Sequence, residues 1–193
     1  MISCNINTFE VAKLKAQIEG FSTASRARAM GRGLAKVAKQ GATVAKSNIA
    51  KTYNVKAGVV ADRLSVRASS NGLQATIAAK PRKAGSSGKS RIPLIQFGAT
   101  HSKKNGVKFK ITRSGAAGRL RHAFIATMDS GHKGVYQRVP GTSKIVEVMG
   151  IDVPVMFAGK RVKPLVLQKI NEVGARVVAH ELRYELSRLG FKG

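Results

Sequence analysis

Residues 55–79 read VKAGVVADRLSVRASSNGLQATIAA, and the period of the apolar residues changes inside them. Up to about residue 64 the pattern is helical, with small and branched residues three to four apart. From Leu64 onward Leu64, Val66 and Ala68 alternate with polar residues, and Leu73, Ala75, Ile77 and Ala79 do the same. Asn71-Gly72 stands between the two runs, the turn dipeptide that joins antiparallel strands. A helical N-terminal part therefore gives way to hairpin-connected strands at this point.

Upstream, two helices are expected. One covers 7–20, capped by Asn7 or Thr8 and stopped by Gly20. A longer one runs from about Ser25 to Tyr53, with Met30, Leu34, Val37, Ala38, Val44, Ala45 and Ile49 on one side. Gly31, Gly33 and Gly41 each weaken that helix by about 1 kcal/mol relative to alanine, and Gly31-x-Gly33 inside a helical pattern reads as close helix packing. The density of alanine suits close backbone approach, at a helix–helix or a subunit contact. A short helix over 55–64 completes this region.

Downstream, residues 80–91 form a Gly/Ser/Lys loop, flexible in isolation. Ile92, Leu94, Ile95 and Phe97 suggest a strand. Val107, Phe109 and Ile111 alternate with Lys108, Lys110 and Thr112 as a half-buried strand, and RSGAAGR is a turn. Residues 122–126, 134–139 and 143–149 supply more strands, and Pro154 introduces a short turn, VPVMF. From Lys163 to Leu189 the chain reads as a helix, with Pro164 in its first turn. Ile170, Val173, Val177, Val178, Leu182, Leu186 and Leu189 form its stripe, and acid alternates with base near its end, as on a solvated or packed surface. The expected fold is α+β in a single domain over 1–193: helices over 7–64, a mainly antiparallel sheet over 64–149, and a C-terminal helix over 163–189.

The 193 residues include 35 Lys and Arg against 9 Asp and Glu, a net charge of +26. Residues 63–128 hold 14 of those cations and no acid. Such a surface faces phosphate or an acidic neighbour. One cysteine, Cys4, excludes an internal disulfide, and no apolar run is long enough to span a membrane. The start lacks the pattern of a secretory signal. GSSGKS at 85–90 ends like a phosphate-binding loop, but Lys83 stands where its first glycine belongs, and Arg91-Ile92-Pro93 resists the helix that must follow. His101, His122, His132 and His180 show no metal-ligand spacing, and no acid–base pair or nucleophile motif is present. No enzyme, cofactor or metal is expected.

The second half contains IPLIQFGA at 92–99, AFIATMDSGHKGVYQRV at 123–139 and SKIVEVMGIDVPVMF at 143–157. In their order and spacing these stretches resemble the minor tail protein Z family of tailed phages. In this family, as in the tail-completion and neck proteins it is similar to, an AF-strand, a glycine loop and a V-x-x-R strand (Val135 to Arg138 here) lead to a V-P before a C-terminal helix. With the helices upstream the likeness covers about residues 7–189. It implies a structural virion protein at the head-proximal end of a tail, a homo-oligomeric ring, commonly of six copies. Tail tube, terminator or neck proteins would be its partners, and DNA could lie in the channel. The other class that the charge admits is a basic nucleic-acid-binding protein of ribosomal or nucleoid type, contacting phosphates without reading sequence. Ala38, Ala45, Ile170, Val177, Leu182 and Leu186 are the expected packing or interface residues. Arg82, Lys83, Lys89, Arg91, Lys103 and Lys104 are the candidates to face DNA or an acidic partner.

Overall fold

The computed structural model describes residues 23–69, 74–80, 91–102 and 106–188. The expected helix at 7–20, the Asn71-Gly72 turn and nearly all of the 80–91 loop lie outside them. The fold is α+β: a long N-terminal helix, three small antiparallel sheets and a long C-terminal helix. The chain divides into two compact units, one drawn from 1–45, 64–79 and 162–193, the other from 46–63 and 80–161.

The first unit holds most of α1 (Thr23–Thr52), the hairpin β1 (Leu64–Ala68) and β2 (Ala75–Ala79), and α4 (Lys163–Arg188). Along α1 the buried positions are Ser25, Ala29, Gly33, Val37, Ala38, Gly41, Ala45 and, in the second unit, Ile49, one face at steps of three to four. Helix α4 buries Val166, Ile170, Val173, Gly174, Val178 and Leu182 at the same spacing. The glycines mark where α1 meets its neighbours. A Cβ at Gly33 would lie 3.0 Å from the Val178 Cα, and one at Gly41 would lie 2.8 Å from Ile77 Cδ1 and 3.1 Å from Ile170 Cγ1. The glycines that cost helix propensity thus give contact without a side chain in the way. Ala29, Val178, Ala179 and Leu182 form a buried cluster beside them, flanked by Met30, Leu34 and Leu186. In β1–β2 the pairing runs from Leu64 opposite Ala79 to Ala68 opposite Ala75, and it buries Ile77.

The second unit contains the end of α1, α2 (Ala57–Ala61) and two three-stranded sheets. One sheet has the order β3 (Thr100–Ser102), β4 (Gly106–Phe109), β5 (Gly118–Leu120). The other has β6 (Ala123–Thr127), β7 (Lys133–Arg138), β8 (Ile145–Glu147). Its core includes Ile92, Leu94, Phe97, Val107, Val135 and Met156, all at most 2 % exposed. The last turn of α1 is closed from this unit: the Arg113 amide donates to Thr52 O at 2.9 Å and its Nε to Ala50 O at 2.8 Å. These bonds satisfy carbonyls that a helix end leaves open.

Several local expectations change. Ile92–Phe97 is not a strand. Pro93 has no amide to give a ladder, and Leu94–Phe97 coil into a 3-10 helix that ends on Gly98 at φ 66°. VPVMF is not a bare turn but helix α3 (Val153–Ala158): Asp152 caps it, its carboxylate accepting from the Val153 amide at 2.8 Å, and Pro154 is tolerated in the first turn. The 107–112 strand stops at Phe109, and part of RSGAAGR becomes β5. There, Gly118 sits under the Phe109 ring, where a Cβ would lie 2.5 Å from Cζ.

Candidate assembly surfaces

In the first unit the polar side chains between α1 and α4 form one knot. Arg32 reaches Glu181 Oε2 through Nε at 3.2 Å and Glu185 Oε2 through Nη2 at 2.5 Å. Lys36 Nζ lies 2.5 Å from Glu181 Oε1. Both glutamates are buried, Glu185 completely. Hydrogen bonding from Lys36 holds the Glu181 carboxyl below its ordinary value of 4.5, and hydrogen bonding from Arg32 does the same for Glu185, each against the cost of burial. The Arg32 guanidinium is raised in turn, chiefly by Glu185. Arg188 Nη2 stands 3.2 Å from Glu185 Oε1, yet among the described residues that oxygen accepts no hydrogen bond. In the alternation of acid and base near the end of α4 the acids Glu181 and Glu185 therefore face α1, while Arg183 and Arg188 are exposed. Only the sign pattern was visible in the sequence.

In the second unit Arg63 and Asp152 form a buried ion pair, 10 % and 8 % exposed, and the same carboxylate caps α3. One structural acid thus ties the segment before β1 to the start of α3. In the same unit His132 Nε2 lies 2.7 Å from Glu147 Oε1, and Tyr136 has its hydroxyl pKa raised by burial and by Glu147.

Besides Val155 on α3, the exposed large apolar side chains described in this unit lie at the β7–β8 hairpin. Val139, Ile145 and Val146 are 36 %, 39 % and 46 % exposed. Ile145 is opposite Arg138 and Val146 opposite Gln137, and the Val139 amide donates to Lys144 O at 2.9 Å. Directly opposed residues share a face, so Val139 and Val146 lie on one side of the ribbon and Ile145 on the other. β8 is an outer strand of its sheet. A basic hairpin tip with valine and isoleucine on both faces has more apolar surface than a lone exposed residue, and outer strands are templates for pairing.

Of the residues singled out in the sequence, Ala38, Ala45, Ile170 and Leu182 are buried, and Val177 and Leu186 are half-buried. All six lie in the first unit, Ala38 and Ala45 on α1 and the rest on α4. Arg91 is exposed; Arg82, Lys83, Lys89, Lys103 and Lys104 lie outside the described residues. The hairpin tip, Gly33, Gly41 and the Arg32 knot were not singled out as sites. For the hairpin a signal existed, since KIVEV carries branched residues at consecutive positions where one buried face needs only alternate ones. Among the described residues no group of three His, Cys, Asp or Glu side chains could hold a metal ion, and no helix is long and apolar enough to cross a membrane.

The family model of prophage minor tail protein Z matches residues 14–189, and the chain belongs to that family. It is a structural protein of a phage tail, located in the virion tail among other tail proteins. Comparisons with curated proteins and with solved structures give no match.

Proposed function

We propose that this minor tail protein forms a homo-oligomeric ring, of six copies, at the head-proximal end of the tail. There it completes the tail and helps join it to the head or neck, acting through interfaces and not by turnover. The family match over residues 14–189 carries this reading. The exposed Val139, Ile145 and Val146 support it, because a tail subunit must offer apolar surface to its neighbours. So does the charge of +26, which calls for acidic or phosphate-bearing surroundings. The tail tube, terminator or neck proteins are the partners, and Arg82, Lys83, Lys89, Arg91, Lys103 and Lys104 face either an adjacent acidic ring or DNA in the channel.

The test is native mass spectrometry of the purified chain with electron microscopy of tails. A discrete closed oligomer, and its density at the head-proximal end, is the expected result. A monomer whose apparent mass rises only when RNA is added would instead favour the nucleic-acid-binding reading.

A further inference from the structure

One concavity in the second unit has a uniform chemistry. It encloses about 460 Å³ and is lined by Asn54, Val55, Lys56, Ile95, Gln96, Gly98, Arg113 and Lys133. Three of these side chains are cations and none is an acid. Val55, 2 % exposed, and the half-buried Ile95 give the site apolar walls. Two of its polar residues are held by bonds to the main chain. Asn54 Nδ2 donates to Phe97 O at 3.0 Å, and Arg113 Nε donates to Ala50 O at 2.8 Å. Gly98, at φ 66°, brings bare backbone to the edge: a Cβ there would lie 2.8 Å from Asn54 Nδ2.

We propose that this pocket is a socket for a carboxylate, taking an Asp or Glu side chain from an acidic segment of a neighbouring tail protein. The inference rests on the tail-protein reading for the identity of the neighbour, and on the pocket alone for the chemistry. A planar guanidinium matches a carboxylate in two-pronged geometry, and two lysines add charge. The walls suit the methylene stem of a glutamate. A DNA backbone presents a convex row of phosphates and gains nothing from the apolar walls of Val55 and Ile95. A second copy of this chain is a poor source of the carboxylate. Five of its nine acids, Glu147, Asp152, Glu172, Glu181 and Glu185, are already engaged by its own side chains.

The experiment measures binding of fluorescently labelled hexaglutamate to the full chain at fixed salt, with hexaglutamine as the neutral control. Lys56 and Lys133 are both exposed, so a Lys56→Glu, Lys133→Glu pair should leave the fold intact, checked by its melting curve. A Lys163→Glu, Arg176→Glu pair on α4 makes the same change in net charge elsewhere. The pocket pair should weaken hexaglutamate about ten-fold or more, and the α4 pair much less. Equal weakening by both pairs, or no preference of the wild type for hexaglutamate over hexaglutamine, would overturn the proposal. So would a pocket pair that loses a short DNA duplex while keeping hexaglutamate. Native mass spectrometry of the same samples reads ring formation separately. Rings without the pocket preference sink the socket alone, and the pocket preference without rings sinks the ring alone.

Discussion

Arg32 and Glu185 are 153 residues apart in the chain and 2.5 Å apart in the fold. The arginine is partly open to water and the glutamate is not. Their contact closes the polar side of the α1–α4 pair, as Gly33 against Val178 closes its apolar side. Removing Arg32 leaves a buried carboxylate without its main partner. Arg32→Ala should lower the melting temperature by on the order of 5 °C. Arg32→Lys, which keeps charge but not the fork, should fall between that variant and the wild type.

The same knot sets an acid sensitivity. Glu181 and Glu185 have folded pKa values lowered from 4.5, by Lys36 and by Arg32 respectively. A lowered folded pKa contributes stability that is fully present above the unfolded value and is lost as pH falls through the folded one. Melting temperatures should therefore hold down to about pH 5 and then decline. The Glu181→Gln, Glu185→Gln double variant should start lower and decline less steeply. A parallel decline in both proteins would mean that other groups govern the acid limb.

Two glycines in helices should respond in opposite directions to alanine. At Gly58 in α2 an added Cβ meets nothing within 4 Å, so Gly58→Ala should stabilise by about 0.5–1 kcal/mol through helix propensity. At Gly33 the added Cβ meets the Val178 backbone, which has little room to move, and Gly33→Ala should be destabilising despite the same propensity gain. Urea midpoints of the two variants against wild type decide it.

Asp152 carries two duties, a cap and an ion pair with Arg63. Asp152→Ala removes both and should cost about 3 kcal/mol or more. Asp152→Asn keeps a good cap and loses only the charge, so it should cost clearly less. If the two variants unfold at the same denaturant concentration, the cap contributes nothing measurable.

The exposed hairpin allows stability and assembly to be separated. Ile145→Thr with Val146→Thr removes apolar surface from residues 39 % and 46 % exposed and keeps β-branched side chains. Monomer stability should change by about 0.5 kcal/mol or less. Incorporation into tails should drop. Normal particle yield would show that this surface is not an interface.

The two long helices and most strands were legible because each has one period and one buried face, as Val166, Ile170, Val173 and Val178 illustrate on α4. The segment 92–97 was not, since buried residues at 92, 94 and 97 fit a strand and a tight turn alike until Pro93 is given its weight. α3 reads as a turn when Pro154 is weighed alone, whereas Asp152 two residues before it makes the proline the start of a helix. What no local pattern carries is the pairing of distant segments. Gly31-x-Gly33 reads as close helix packing and Gly41 as a weak point, but the partners Val178, Ile77 and Ile170 are invisible from where the glycines stand. The pocket of residues 54–56, 95, 96, 98, 113 and 133 is dispersed in the same way, and its three cations have no mutual spacing to find.

The first unit is built from the start, the middle and the end of the chain. Synthesis delivers these pieces in order, so α1 and the β1–β2 hairpin leave the ribosome well before α4 exists to cover Gly33 and Gly41. The second unit, from 46–63 and 80–161, is fully translated by the time the last helix begins. Maturation of the first unit therefore waits for α4, and a message truncated within that helix yields a chain whose second unit can still form while α1 lacks its Glu181 and Glu185 partners.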